Sequence, residues 1–413
     1  LDLGIELNDT TFRPPYVPVS MATIAASERG PLQAPIRRLP IEAVHRQEGA
    51  YFRDYGGVLR PAWYGAESAI AEECRLARNN AVLLDASSLG KIEVIGPAAP
   101  ALLDFVYYTP MSSLKVGKAR YGLCLTEAGV VADDGVVARL SPEHFIVSCS
   151  SSHVAFMVAN LEAWRQDHFD LKQVFIHDAT AHWATLAISG PQSKQILATL
   201  DLGIELNDTT FPHMSVMQGR FEGQVARIAR VSFTGERSYE ISVPAGLAAQ
   251  LWKRTRSAGA SPIGIEALSV LRAEKGYLYV GQDTDGETMP HDLGFGGPRA
   301  KRQDAFAGDR SLFTPAATAV DRKQLVGIAA EGNAAIPAGA SAVERQGDRK
   351  RILGYVTSSY MSFHLGRPIA LGLIENGAAR SGEIVTFEHL GQSFSGRIVA
   401  PCFLDQQGAR LNA

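Results

Sequence analysis

Apolar positions along the chain change period several times, and each change marks a predicted element. From Ala66 the segment AESAIAEECRLARNNAV carries apolar residues at helical spacing. It runs into LLDASSLGKIEVIGP, a short apolar strand closed by a Gly96-Pro97 turn. The phrase returns as WATLAISGPQSKQIL, closed by Gly190-Pro191, and both turns lead into apolar helix starts, AAPALLDFV and QSKQILATL. This imperfect echo, about ninety-four residues apart, predicts an internal duplication of a strand-turn-helix unit.

RYGLCL, the turn TEAG and VVADDGVVARL predict a hairpin, and HFIVSC alternates as a third strand. A helix follows with Val154, Met157, Val158 and Leu161 on one face, and the serines at 150–152 are placed to cap it. A second set is VARIARVSF, the turn TGER and SYEISV, in which Tyr239, Ile241 and Val243 share one face and Glu240 falls on the other. The helix PAGLAAQLWKRTRSAG starts at Pro244 and ends on basic residues before Gly259, and GIEALSVLRAEKG carries Ile265, Leu268 and Leu271. Beyond Arg322 the pattern becomes short β-like runs divided by Gly and Pro, which predicts a small all-β domain of about ninety residues. Before residue 65 no period persists through RPPYVPVS, APIRRLP and RPAWYG, so an extended arm is expected there. The expected organisation is an arm over 1–64, an α+β domain over 65–320 and a β domain over 321–413. Residues 1–12, LDLGIELNDTTF, recur letter for letter at 200–211. The second copy runs straight into PHMSV and reads as native, so residues 1–11 carry no functional argument.

Composition narrows the classes. With 413 residues, 46% apolar and 20% charged, the chain can build the cores of two or three globular domains. Forty Lys and Arg against 43 Asp and Glu, a formal charge of −3, argue against a nucleic-acid or membrane-surface binder. Cys74, Cys124, Cys149 and Cys402 form no CxxC pair, so neither a zinc ribbon nor a disulfide framework is expected, and a reduced cytoplasmic protein fits best. No run reaches the roughly 18 apolar residues of a membrane span.

Candidate chemistry is concentrated at a few acids. Asp133-Asp134 interrupts an apolar strand, and a buried carboxylate needs partners, solvent or a hydrogen-bonding ligand. From the residues alone the commoner reading is an Asp134-Gly135 turn with both acids in water. Glu240 reads as solvent-exposed, and Arg272, Glu274 and Lys275 as a charged outer helix face. His45, His153, His213 and His291 show no metal-ligand spacing, so no metal site is expected, and Cys124 and Cys149 read as inert core thiols. GFGGP at 294–298 is not GxGxxG, and no Walker A sequence occurs, so no flavin or NAD site is expected in this chain.

GVVADDGVVARL, SFTGERSYEISV and GIEALSVLRAEKGYLYVGQDTDGETMPHDLG resemble the aminomethyltransferase family, the folate-dependent T-proteins of the glycine cleavage system and their relatives. FRPPYVPVS, RRLPIEAVHRQEGA, LGKIEVIGP and GYVTSSYMSFHLGRPIALGLIENG extend the likeness, within that family, to the C-terminal half of sarcosine oxidase α subunits. The resemblance implies an aminomethyltransferase folate-binding fold with a central hole, followed by a small β-barrel. It implies tetrahydrofolate as cofactor, Asp133 as the catalytic carboxylate, and Glu240, Arg272 and Tyr121 as folate-binding residues. It also implies a flavin-bearing β subunit as partner, oxidising a small methylated amine to an imine whose carbon passes to folate to give 5,10-methylenetetrahydrofolate. A stand-alone T-protein, a folate-dependent demethylase and a non-catalytic folate-binding subunit are the alternatives.

Overall fold

The computed structural model describes residues 37–296, 302, 304–347 and 349–413. The part of the expected arm before Arg37, and Gly297-Pro298 of the GFGGP segment, lie outside the described residues.

Residues 37–64 depart from the expected arm. Strand β1 (Arg37–Arg38), helix α1 (Glu42–Gln47), β2 (Ala50–Tyr55) and β3 (Val58–Tyr64) form a three-stranded sheet in the order β1-β3-β2 with its helix. The β2–β3 hairpin turns on Gly56-Gly57, at φ 63° and 77°, the left-handed pair that a two-residue hairpin loop demands. Each piece is at most seven residues long, too short for periodicity to register. Burial of Ile41, Val58 and Trp63 holds the unit down.

Helix α2 (Ile70–Asn79) leads into β4 (Val82–Asp85), followed by β5 (Gly90–Ile95), α3 (Ala99–Val106), β6 (Ala119–Leu125), β7 (Val131–Ser141), β8 (His144–Cys149), α4 (Val154–His168) and β9 (Phe175–Asp178). The chain continues through β10 (Trp183–Ser189), α5 (Ser193–Ala198), β11 (Ser215–Phe221), β12 (Gln224–Arg230), β13 (Ser238–Pro244), α6 (Ala248–Ser257), β14 (Ser261–Pro262) and α7 (Ile265–Lys275). Two sheets result, β6-β7-β8-β5-β9 and β11-β12-β13-β10-β4-β14. The shared order, a hairpin, a third strand and then the strand that opened the unit, is the expected duplication seen in space. In both units the opening strand ends on the Gly-Pro turn. Gly96 (φ 131°) and Gly190 (φ 116°) have carbonyls behind them, Gln173 O at 2.3 Å and Asn80 O at 2.4 Å from where a Cβ would stand, so only glycine fits.

Each sheet buries one face under its own helices. Ile92, Val94, Val137, Phe145 and Val147 of the first sheet pack on Leu102, Leu103, Met157 and Leu161 of α3 and α4. Leu186, Ile188, Ile228, Tyr239 and Ile241 of the second pack on Ile196, Leu251 and Trp252 of α5 and α6. The other faces look at each other, as Ala119 and Ala138 of the first sheet share a cluster with Val216 and Val231 of the second unit. Helix α4 buries Val154, Met157 and Leu161 as its spacing predicts, but no side chain caps its N-terminus.

Helix α7 departs from its expected charged outer face: Arg272 and Glu274 are fully buried and Lys275 nearly so. Arg78 joins Glu274 (2.5 Å) and Glu236 (2.8 Å), and Lys275 meets Asp405 (3.2 Å). Charges at this spacing read as an outer face only while their partners, far away in sequence, are unknown. The strands β15 (Lys323–Ala330), β16 (Ser341–Gln346), β17 (Arg349–Ser362), β18 (Arg367–Glu375), β19 (Ile384–His389) and β20 (Gln392–Val399) close into a barrel in the order β15-β18-β17-β16-β19-β20. Among the described residues no helix is long and apolar enough to cross a membrane.

Candidate functional site

The acid pair lies in mid-strand rather than in a turn. On β7, Asp133 pairs in register with Cys124 and Asp134 with Leu123, so the two side chains leave on opposite faces. Asp133 goes to the helix-covered face. It is 0% exposed, its Oδ2 accepts the Ser150 N–H at 3.1 Å, and His153 Nδ1 stands 3.5 Å from its Oδ1. Asp134 shares the other face with Val136 and Ala138, which pack toward the second sheet.

Tyr121 on β6 donates its hydroxyl to Asp134 Oδ2 at 2.7 Å, and its ring lies 5.8 Å from that of Phe295. Burial raises the Asp134 carboxyl to about 7; the Tyr121 hydrogen bond pulls it down and the Asp133 charge pushes it up. The Tyr121 phenol is driven well above its usual value by burial and then by the Asp134 charge, so it remains a donor.

Glu240 occupies the corresponding face of the second sheet, opposite Ala187 of β10 and Ala229 of β12. Being part-buried rather than solvent-exposed, its carboxyl is raised to about 7 by desolvation, against the pull of the Lys91 ammonium. Lys91, on β5 of the first sheet, is fixed by donating to Ser87 O (2.9 Å) and Leu89 O (2.8 Å). Burial lowers its ammonium to about 8, with Asp85 and Glu240 opposing. A second link between the sheets is Arg227 to Glu93 at 2.7 Å.

Arg272 is placed differently. Fully buried, it pairs with Asp283 and donates to Ser358 Oγ (2.8 Å), Tyr360 OH (3.3 Å) and Tyr277 O (3.1 Å), tying α7 to β17 of the barrel. Its Nη1 and Nη2 donors are taken up in that seam, while its buried Nε–H has no hydrogen-bond partner among the described residues. An open cleft of about 850 Å³ between the barrel and the 285–292 turn contains none of the candidate residues.

The serines at 150–152 also differ from the expected caps: Ser150 uses its N–H on Asp133, and Ser151 Oγ bonds Ser88 Oγ at 2.9 Å. Among the described residues no cluster of His, Cys, Asp and Glu is arranged to hold a metal ion. Burial pushes the Cys124 and Cys149 thiols up to about 12, in keeping with inert core positions. Lys91 was passed over by the sequence reading. Its signal was alternation along GKIEVI, which sets Lys91 and Glu93 opposite Ile92 and Val94.

A duplicated α+β domain with a closed barrel buttressed against it is the fold shared with the solved aminomethyltransferase structure. The chain belongs to the glycine cleavage T-protein family: the GCVT N-terminal domain matches residues 41–298, and the glycine cleavage T-protein C-terminal barrel domain matches residues 323–405. It is thus a domain of a folate-dependent enzyme family. It is similar to the sarcosine oxidase subunit alpha of Corynebacterium sp. (strain P-1), 37% identical over 99% of this chain and 44% of that protein. It is also similar to the aminomethyltransferase of Cutibacterium acnes, 31% identical over 88% of this chain and 97% of that protein. The crystal structure of glycine cleavage system aminomethyltransferase T from Bartonella henselae superposes with a TM-score of 0.79 at 26% identity, covering 90% of this chain and 99% of that one. The chain spans 44% of the length of the sarcosine oxidase subunit it matches.

Proposed function

We propose that the chain passes a one-carbon unit to tetrahydrofolate bound between the two sheets, with Asp134 and Tyr121 at the reacting end and Glu240 at the pterin end. The observation that carries this reading is the placement of two carboxyls, each near 7, on the inward faces of the duplicated sheets. The donor set suits the ligand. No protein hydrogen bond among the described residues perturbs Glu240, and a free carboxylate can accept two hydrogen bonds from the amidine-like edge of a pterin. Tetrahydrofolate, when bound, supplies the nitrogens that take up the carbon.

The chain's residues supply the rest. Asp134, poised near neutral pH, can accept or return a proton at the reacting nitrogen, and the Tyr121 hydroxyl holds its Oδ2 in place. The catalytic role that the resemblance implies for Asp133 is assigned to Asp134, because only Asp134 leaves the strand on the inward face. Arg272 acts in this reading as a brace behind the site and Tyr121 as the partner of the acid.

The sarcosine oxidase relatives favour sarcosine as the methylated amine; in this reading a flavin-bearing β subunit, as the family resemblance implies, makes its imine, giving 5,10-methylenetetrahydrofolate. A T-protein acting alone is the second reading, favoured by the coverage of whole aminomethyltransferases. Asp134→Asn in the intact complex tests the assignment: folate binding persists and methylenetetrahydrofolate formation falls on the order of 10²–10⁴-fold. Unchanged turnover removes Asp134 from the mechanism, and a chain that purifies and works without a flavin partner favours the second reading.

A further inference from the structure

Arg78, Arg230, Arg237 and Arg272 are buried, and each meets a carboxylate. Arg60 on β3 does not. It is 5% exposed, its Nε is sealed from solvent without a hydrogen-bond partner, and no hydrogen bond or ion pair to its guanidinium occurs among the described residues. A guanidinium taken out of water with its donors unmet is costly, so its retention points to an anion as its partner. The sheet register sharpens the point. Arg60 stands directly opposite Arg53 of β2, and like charges placed so across a strand pair repel. Arg53 is relieved by Glu266 at 3.3 Å and by the Trp63 ring at 4.7 Å, and Arg60 by neither.

The β2–β3 hairpin lies across both halves of the duplicated domain. At its turn, a Cβ on Gly56 would stand 3.0 Å from Ser152 Cβ of the first unit, and Arg37 of the adjoining β1 donates to Ser151 O. On the other side, Tyr55 donates to Glu266 of α7 at 2.6 Å and packs on a cluster that holds Leu84 and Leu268. Ala187 packs on the same cluster, and Ala187 is the cross-strand neighbour of Glu240. Since Tyr55 pairs with Val58 and Arg53 with Arg60, all four side chains share one face of the hairpin, and that face borders the gap on the Glu240 side. We propose that Arg60 binds a carboxylate of the ligand in the gap, either the glutamate of tetrahydrofolate or the carboxylate of the methylated amino acid. This rests on the reading of the gap as the folate site. The planar fork of a guanidinium matches a carboxylate through two parallel hydrogen bonds, which a lysine at this position could not supply.

The test is equilibrium dialysis of the full chain, wild type and Arg60→Met, against tetrahydrofolate, tetrahydropteroate, which lacks the glutamate, and N-methylglycine. Arg60→Met strands no partner, so the variant is expected to fold with a melting temperature no lower than that of wild type. If the glutamate is the source, tetrahydrofolate binds about 10–100-fold more weakly to the variant while tetrahydropteroate is unmoved. If the amino acid is the source, both folates are unmoved and N-methylglycine weakens by that factor. Should Arg60→Met fail to fold, Arg60→Lys, which keeps the charge and loses the fork, is expected to give the same pattern at several-fold. All three ligands unmoved overturns the proposal, and so does equal weakening of tetrahydrofolate and tetrahydropteroate, the mark of a packing role. Wild-type chain that binds neither folate sinks the folate reading, and Arg60 is then judged on N-methylglycine: no binding, or binding that ignores the substitution, overturns the proposal as well.

Discussion

Replacing Glu240 by Gln tests the inward-facing carboxyl through stability as well as function. In the folded chain its carboxyl titrates near 7 against an ordinary value of 4.5, because desolvation penalises the ion more than Lys91 relieves it. A raised acid binds more protons folded than unfolded between those two values, so stability is lost as pH rises through that window. The full difference corresponds to about 3 kcal/mol, and since the side chain is part-exposed and keeps some water, about 1–3 kcal/mol is expected. Glutamine has no proton to lose. The assay is urea or thermal unfolding of both chains at pH 5 and pH 8, taking the variant-minus-wild-type difference at each pH. Subtracting the two differences cancels the cost of the amide itself and the contributions of other titrating groups. The variant should gain about 1–3 kcal/mol relative to wild type on going to pH 8, a few degrees in melting temperature. Equal pH slopes would falsify the desolvated setting assigned to Glu240.

Two structural predictions follow from the frame around the site. Gly190→Ala drives a Cβ to 2.4 Å from Asn80 O at φ 116° and should cost more than about 2 kcal/mol in chemical denaturation, whereas Gly246→Ala, with nothing within 4 Å, should stay within about 0.5 kcal/mol. Arg78→Met leaves Glu274, 0% exposed, with the Ser362 hydroxyl and no cation, while Glu236 keeps Arg410 at 2.7 Å, and should destabilise by about 3–5 kcal/mol; a loss under 1 kcal/mol contradicts the role of that ion-pair network.

Much of the fold is legible in the sequence because its signals are local. The Gly-Pro echo, the alternation in SYEISV and the broken β runs after Arg322 each depend on neighbours a few positions away, and each corresponds to an observed element. What escaped the reading depends on distant partners. Arg272 and Glu274 look like a solvated face until Asp283 and Arg78 are brought to them. In the acid pair, alternation states that Asp133 and Asp134 part company, but not which side is covered by α3 and α4; that follows only from the register of β7 with β6 and β8. The Gly56-Gly57 hairpin was readable in DYGGVL and lay hidden by the irregular composition around it.

Equilibrium dialysis of tetrahydrofolate against the full chain at pH 8, where Glu240 is ionised, bears most directly on the central claim. Saturable binding to one site per chain, lost or weakened at least about tenfold in Glu240→Gln by removal of a charged acceptor pair, is the predicted result. Absence of saturable binding, or equal affinity in the variant, contradicts the placement of folate between the two sheets.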